Sequence, residues 1–204
     1  MLHPDTEVRW ISTEIGCGVL ATRDIPKGTI LWAMDPLDRT LSPERLDLLP
    51  PVCRDSLLKY SYRNRNGDYV YCWDNTRFMN HSFYPNSIAT AYGYELAVRD
   101  IRANEELCND YGTLNILEPF RPSEEGPERK VVYPDDLARH HRRWDEMLEA
   151  AFRQVYLVDQ PLREVLSDSQ WEQACQIAKG LIPMDSILNC LYRPAEDSPP
   201  TTSS

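Results

Sequence analysis

Three short motifs constrain the fold of this 204-residue chain more than any other feature of its sequence. They read IGCGVLATRDIPKG over residues 15–28, RFMNHSFYPN over residues 77–86 and EELCNDYG over residues 105–112. Two glycines around one residue are common in turns, and so is an Asn-His pair, so each motif alone is a weak signal. Their combination, in this order and within residues 15–112, is far harder to produce by chance.

Composition and charge are typical of a globular protein with an acidic surface. Hydrophobic residues make up 42% and charged residues 26%, and no apolar run is long enough to span a membrane. The first residues lack the basic and apolar regions of a secretion signal, so we expect a cytoplasmic protein, with delivery into a host left open. The net charge of −10 argues against direct nucleic-acid binding. It favours a basic protein partner, unless the acidity only aids solubility.

Short strands and many turns dominate the first half of the chain. Residues 6–34 read as short strands separated by glycine and proline turns, and residues 87–98 read as a hairpin around Gly93. Residues 42–49 and 52–61 are predicted to be short helices, and a further strand is predicted at residues 69–73. The pattern therefore predicts a mostly β domain, to which we assign residues 1–118.

The second half of the chain has a helical pattern. Residues 119–136 are rich in proline and charge and are predicted to form a linker or loop, and residues 137–193 a helical C-terminal segment. Apolar residues recur at helical spacing over residues 136–157, which predicts an amphipathic helix. Three shorter helices are predicted: one from Pro161, one around Trp171 that ends at Gly180, and one at residues 187–191. Residues 194–204 are expected to be a disordered tail.

The three motifs resemble those of SET-domain protein-lysine methyltransferases, written loosely as GxGvfAtrdIpkG, RFxNHSxxPN and GEELxxDYG. The resemblance covers about residues 5–115. DNTRFMNHS at residues 74–82 is similar to the wording found in compact, stand-alone SET proteins of bacteria. The resemblance implies a β-clip fold of several small sheets with a knot-like crossing.

The same resemblance implies transfer of methyl groups from S-adenosyl-L-methionine to the ε-amine of lysine in a protein, without a metal. A free lysine has a pKa of about 10.4, so only a small fraction is neutral and nucleophilic at pH 7. A narrow apolar channel disfavours the charged form and aims the amine. Oxygen atoms around the methyl group stabilise its partial positive charge as it transfers.

The site residues follow from the motif positions. Tyr111 of the DYG motif matches the catalytic tyrosine of the family. Asn80 and His81 match its cofactor-binding pair, and the main chain of Gly16, Cys17 and Gly18 matches its glycine-containing cofactor loop. Asn86 and Glu106 are predicted to be structural.

The sequence departs from the family pattern at two places in the substrate channel. Trp32 stands where a tyrosine and a glycine are usual, and Asn109 stands where phenylalanine or tyrosine usually precedes the catalytic tyrosine by two residues. Asparagine is smaller and polar, which favours the hypothesis that more than one methyl group is added. The six cysteines have no zinc-ligand spacing, so the cysteine-rich zinc segment of many relatives is missing.

Two function classes therefore stay open. Trp32 and Asn109 leave room for a catalytically inactive, SET-derived protein-binding module, while Tyr111, Asn80 and His81 favour the enzyme. The expected substrate is a lysine-containing, basic protein, histone-like or other. The helices of residues 137–193 are expected to close over the lysine channel, to mediate a homodimer, or to pack a small core of their own.

Overall fold

The structure is a computed structural model that describes residues 1–123, 126 and 128–194. A seven-stranded sheet has the order β1-β2-β10-β8-β9-β3, with β7 paired to β10. A smaller sheet has the order β4-β6-β5. The strands are β1 Thr6–Ser12, β2 Gly16–Ala21, β3 Ile30–Ala33, β4 Arg39–Leu41, β5 Ser61–Arg63, β6 Tyr69–Tyr71, β7 Asn80–His81, β8 Ser87–Ala89, β9 Tyr94–Ala97 and β10 Glu106–Asn109. The helices are α1 Pro43–Asp47, α2 Pro51–Tyr60, α3 Asp136–Phe152 and α4 Asp168–Ala178.

The strand β10 brings the three sequence motifs together. It pairs antiparallel with β2, where Leu107 lies opposite Val19, and parallel with β7, where Cys108 lies opposite Asn80. Its last residue, Asn109, lies opposite Ser87 of β8. Each motif contributes one strand to this arrangement, so residues far apart in sequence meet at the end of β10.

One hydrophobic core joins the large sheet to the C-terminal helices. Apolar residues of β3, β8 and β9 pack against one face of α3, on which Trp144, Leu148 and Phe152 are fully buried. Residues of α4 and Ile187 complete the same cluster. The C-terminal segment therefore shares the core of the sheet and does not form a separate one. None of the helices in the described ranges combines the length and apolarity that crossing a membrane requires.

The predicted fold class, mostly β with a C-terminal α-helical segment, is confirmed. The hairpin around Gly93 is also confirmed, with φ of +82° at that glycine, a backbone angle that L side chains rarely adopt. The helix predicted from Pro161 is wrong: a single 3₁₀ turn spans Arg163–Val165. The chain becomes extended at Leu166 because Ser167 begins α4 with a capping box to Gln170. From residue 195 onward, the predicted tail lies outside the described residues.

Candidate active site

Tyr111 is fixed by hydrogen bonds on both its main chain and its side chain. It begins a 3₁₀ turn directly after β10, and the Asp110 carboxylate accepts a hydrogen bond from the Gly112 N–H at 3.0 Å to cap that turn. The Tyr111 hydroxyl donates to the Met79 carbonyl oxygen at 3.0 Å. Burial raises the pKa of Tyr111 to about 12, so the group is a neutral hydroxyl at physiological pH. Its proton points to Met79, which leaves the oxygen lone pairs available as acceptors.

His81 lies beside Tyr111 as a neutral imidazole. Its Nδ1 accepts a hydrogen bond from the Tyr111 N–H at 3.1 Å, so the proton of the neutral ring is on Nε2. Burial lowers the pKa of His81 to about 4, and the nearby positive charge of Arg129 acts in the same direction. Nε2 is buried and has no hydrogen-bond partner in the described part of the chain. A buried donor without a partner is rare in proteins, and His81 lines neither of the cavities described below.

Asn80 joins the glycine motif to β10. Its Nδ2 donates to the Cys17 carbonyl at 3.0 Å and to Glu106 Oε1 at 2.7 Å. Gly16 has φ of +88°, which the turn between β1 and β2 requires of it. The structure thus brings Gly16, Cys17 and Gly18 together with Asn80, although none of these four residues lines the cavity that contains Tyr111.

Gly18 has a packing reason to be glycine. A Cβ atom there would clash with Oε1 of Glu106, the oxygen that Asn80 binds. We expect Gly18→Ala to displace this carboxylate, break its bond to Asn80 and lower the free energy of unfolding by about 1–3 kcal/mol. Urea unfolding measures the change. The double variant Gly18→Ala/Glu106→Ala should be less affected than the sum of its single changes, whereas a wild-type midpoint for Gly18→Ala would contradict this account.

The predicted structural roles of Asn86 and Glu106 agree with these contacts. Asn86 is fully buried, donates to the Glu106 carbonyl at 2.8 Å and accepts from the Cys108 N–H at 2.8 Å. It ties the loop after β7 to β10. Glu106 holds Asn80 in the way described above.

A cavity of about 400 Å³ opens beside Tyr111, and aromatic rings form part of its mixed polar and apolar wall. The aromatic lining residues are Trp32, Tyr60, Tyr62, Tyr69, Tyr111 and Phe120. Trp32 and Asn109, the two predicted channel residues, both line it. Trp32 packs edge to face against Tyr62, with ring centroids 6.2 Å apart. The structure therefore brings Tyr111, Trp32 and Asn109 to one cavity, of a size suited to a small ligand or a side chain.

The helical segment does not close this cavity. In the described ranges, residues 114–118 and Phe120 line it, and none of residues 137–192 does. A second cavity of about 240 Å³ shares Trp32, Tyr62 and Glu95 with the first, and Cys190 reaches it. The C-terminal segment, which was expected to close over the channel, therefore contacts only the smaller cavity.

A buried ion-pair network connects the DYG motif to α3, and the sequence analysis missed it. Arg129 donates to Asp110 Oδ2 at 2.5 Å and also pairs with Asp136, the first residue of α3. Both carboxylates are almost fully buried. The guanidinium carbon also lies 4.9 Å from the centroid of the Phe83 ring. The residue before Tyr111 is therefore held by a loop residue whose role no motif indicates.

Glu95 is the second residue that the sequence analysis missed. It lies in β9 between Tyr94 and Leu96, is 5% exposed, and lines both cavities. In the sequence, an acidic residue between the apolar residues Tyr94 and Leu96 of a predicted strand could have indicated a functional carboxyl group. Burying a charge is costly unless it has a partner.

Comparison with known proteins agrees with the motif positions. Residues 16–112 match the sequence model described as the SET domain. No curated protein is significantly similar to this chain. A crystal structure of a proposed histone methyltransferase of Plasmodium falciparum is similar over 54% of this chain and 95% of that one, with 18% identity and a TM-score of 0.40. That likeness is too distant to carry an argument about this chain.

Proposed function

This chain belongs to the SET-domain family through residues 16–112, and on that premise we propose that it is an S-adenosyl-L-methionine-dependent protein-lysine methyltransferase. Its substrate is a lysine-containing, basic protein, to which the net charge of −10 is complementary. The observation that carries the proposal is the placement of the Tyr111 hydroxyl on the wall of the aromatic cavity.

The Tyr111 and Met79 oxygens supply the electrostatic part of the reaction. They lie 3.0 Å apart, and the direction of their hydrogen bond leaves lone pairs on both. A methyl group bound to a sulfonium carries partial positive charge, which fixed oxygen dipoles stabilise without reorganisation. Because the pKa of Tyr111 is raised, its hydroxyl keeps its proton and the dipole stays fixed.

The residues around His81 fit the cofactor. The Nε2–H of His81, which is buried and has no partner in the described residues, would donate to an acceptor atom of S-adenosyl-L-methionine that reaches it. The main chain of Gly16, Cys17 and Gly18 is held next to β7 by Asn80. When bound, the cofactor supplies an activated methyl group and leaves as a neutral thioether. The side-chain amide of Asn80 is committed to Cys17 and Glu106, so it acts by positioning this loop.

The aromatic cavity favours the reactive form of the substrate. Desolvation beside the contacting rings of Trp32 and Tyr62 lowers the pKa of a lysine amine and so raises the fraction of neutral, nucleophilic lysine. The same walls restrict the direction from which the amine approaches.

Calorimetric titration with S-adenosyl-L-methionine tests the proposal without knowledge of the substrate. We expect saturable binding at one site per chain, weakened at least about tenfold in Asn80→Ala because the loop of Gly16 to Gly18 loses its anchor. Gln176→Ala, a change on α4 that removes only an amide bonded to Glu172, should bind like the wild type. A folded protein that shows no saturable binding would contradict the proposal and favour the inactive binding module.

A further inference from the structure

The inner wall of the Tyr111 cavity carries a carboxyl group without a cation. Glu95 Oε2 accepts a hydrogen bond from the Ser87 hydroxyl at 2.7 Å, and Oε1 accepts from Asn109 Nδ2 at 3.2 Å. No Lys, Arg or His of the described ranges pairs with it, although burying a charge usually requires such a partner. Two neutral donors thus fix the carboxyl group in place, and no cation of the described residues is there to compensate its ionised form.

Two further polar atoms on this wall lack partners. Asn109 Oδ1 and Trp32 Nε1 are buried and make no hydrogen bond within the residues that the structure describes. Asn109 and Trp32 are 5% and 3% exposed, and both line the cavity. Native proteins satisfy the large majority of buried polar atoms. An acceptor and a carboxyl group on one aromatic wall match a ligand that donates several hydrogen bonds and carries positive charge.

We propose that Glu95 receives the cationic nitrogen of the substrate side chain at the inner wall of this cavity and accepts a proton from it. Asn109 Oδ1 accepts a second hydrogen bond from the same nitrogen. In the transfer, one N–H bond of the ammonium breaks and an O–H bond forms on Glu95, which turns carboxylate and ammonium into carboxylic acid and neutral amine. The inference rests on the proposed function for the identity of that side chain, a lysine, and gives the site the base that frees the amine lone pair.

The electrostatic surroundings of Glu95 support this proton transfer. Burial raises the pKa of its carboxyl group, and the same desolvation lowers that of an amine, so the two values approach each other. The titratable groups that face Glu95 are the Tyr62 hydroxyl and the Cys72 thiol, whose pKa values burial also raises, so both stay neutral. Of the charged residues that line the cavity, Lys59, Arg77 and Glu118 are exposed or half-buried. The guanidinium of Arg63, whose Nε is buried, stacks on the Tyr192 ring at 4.2 Å and forms no ion pair with Glu95.

A titration with n-butylammonium, which has the length and charge of a lysine side chain, tests the proposal without cofactor or protein substrate. The indole N–H resonance of Trp32, assigned by its disappearance in Trp32→Phe, reports on the wall directly. We expect Glu95→Gln to weaken n-butylammonium binding at least tenfold and to leave binding of the neutral 1-butanol unchanged. Glu146→Gln, an exposed change on α3, should behave like the wild type toward both probes. Equal n-butylammonium affinity in wild type and Glu95→Gln would overturn the proposal.

The wild-type protein provides an independent measurement should Glu95→Gln fail to fold. Glutamine resembles the protonated acid that burial favours, so folding is expected. The affinity of wild type for n-butylammonium should rise with pH as Glu95 ionises, and a pH-independent affinity would overturn the proposal. Amine binding through Glu95 by a protein that does not bind S-adenosyl-L-methionine would sustain this inference and contradict the proposed function, so the two failures are distinguishable.

Discussion

Replacing Tyr111 by phenylalanine should lower kcat for methyl transfer by about 10²–10³-fold, the cost typical of losing one fixed dipole at a developing charge. The change removes the hydroxyl that binds the Met79 carbonyl and keeps the ring that packs near His81 and Phe120. It also removes one hydrogen bond to Met79, whose net contribution to stability is about 1 kcal/mol, so the fold should persist. Transfer of labelled methyl to a lysine-rich protein that wild type methylates measures the rate.

Two comparisons make the Tyr111→Phe result specific. Tyr156→Phe, at an exposed tyrosine beyond α3, should retain wild-type activity. Calorimetric binding of S-adenosyl-L-methionine to Tyr111→Phe should change by less than about tenfold, because the hydroxyl acts mainly on the transferring methyl group. Wild-type kcat in a correctly folded Tyr111→Phe protein would remove Tyr111 from the mechanism.

Replacing Arg129 by methionine should lower the free energy of unfolding by about 3–5 kcal/mol, the cost typical of breaking a buried ion pair on one side. Methionine keeps most of the side-chain volume and removes the charge. The carboxylates of Asp110 and Asp136 would then remain buried without the cation that compensates both. Because domain stability totals about 5–15 kcal/mol, this single change should come close to unfolding the protein. Chemical denaturation followed by Trp fluorescence measures the shift.

The exposed pair of Arg139 with Asp135 provides the matched control for Arg129→Met. Arg139 lies on α3 and Asp135 is the N-cap residue of that helix; their charged atoms are 2.5 Å apart, and both side chains are more than half exposed. Arg139→Met should therefore change stability by less than about 1 kcal/mol. If both variants lost a similar amount of unfolding free energy, burial of the Asp110 and Asp136 carboxylates would not determine how much the Arg129 ion pairs stabilise the protein.

The strands within residues 6–34 and the hairpin of residues 87–98 could be predicted, because glycine and proline turns mark their ends. Gly16 and Gly93 lie in these turns, and both have the positive φ, +88° and +82°, that favours glycine. The prediction of a helix from Pro161 was wrong for an equally local reason. The capping box at Ser167 starts α4 and leaves only one turn before it.

The supporting contacts of the site could not be predicted in the same way. Arg129 lies 19 residues after Asp110 in a loop without periodicity, and only the folded chain brings the two together. The protonation state of His81 likewise depends on burial and on the Tyr111 N–H, neither of which a motif encodes. The sequence placed Asn80 among the cofactor-binding residues. The structure gives its amide two partners within the protein, which no pattern of residues reveals.

The shared core also sets the order of events while the chain is being synthesised. Strand β9 ends at Ala97. The hydrophobic cluster that covers it is complete only after Ile187, 90 residues later, has been synthesised. At a synthesis rate of about 5–20 residues per second, the apolar face of the sheet stays exposed for roughly 5–18 s before the C-terminal helices can pack on it. Until then it is exposed to other nascent chains and to chaperones. The Tyr111 cavity, whose wall includes residues of β3 and β9, therefore matures only after most of the polypeptide has left the ribosome.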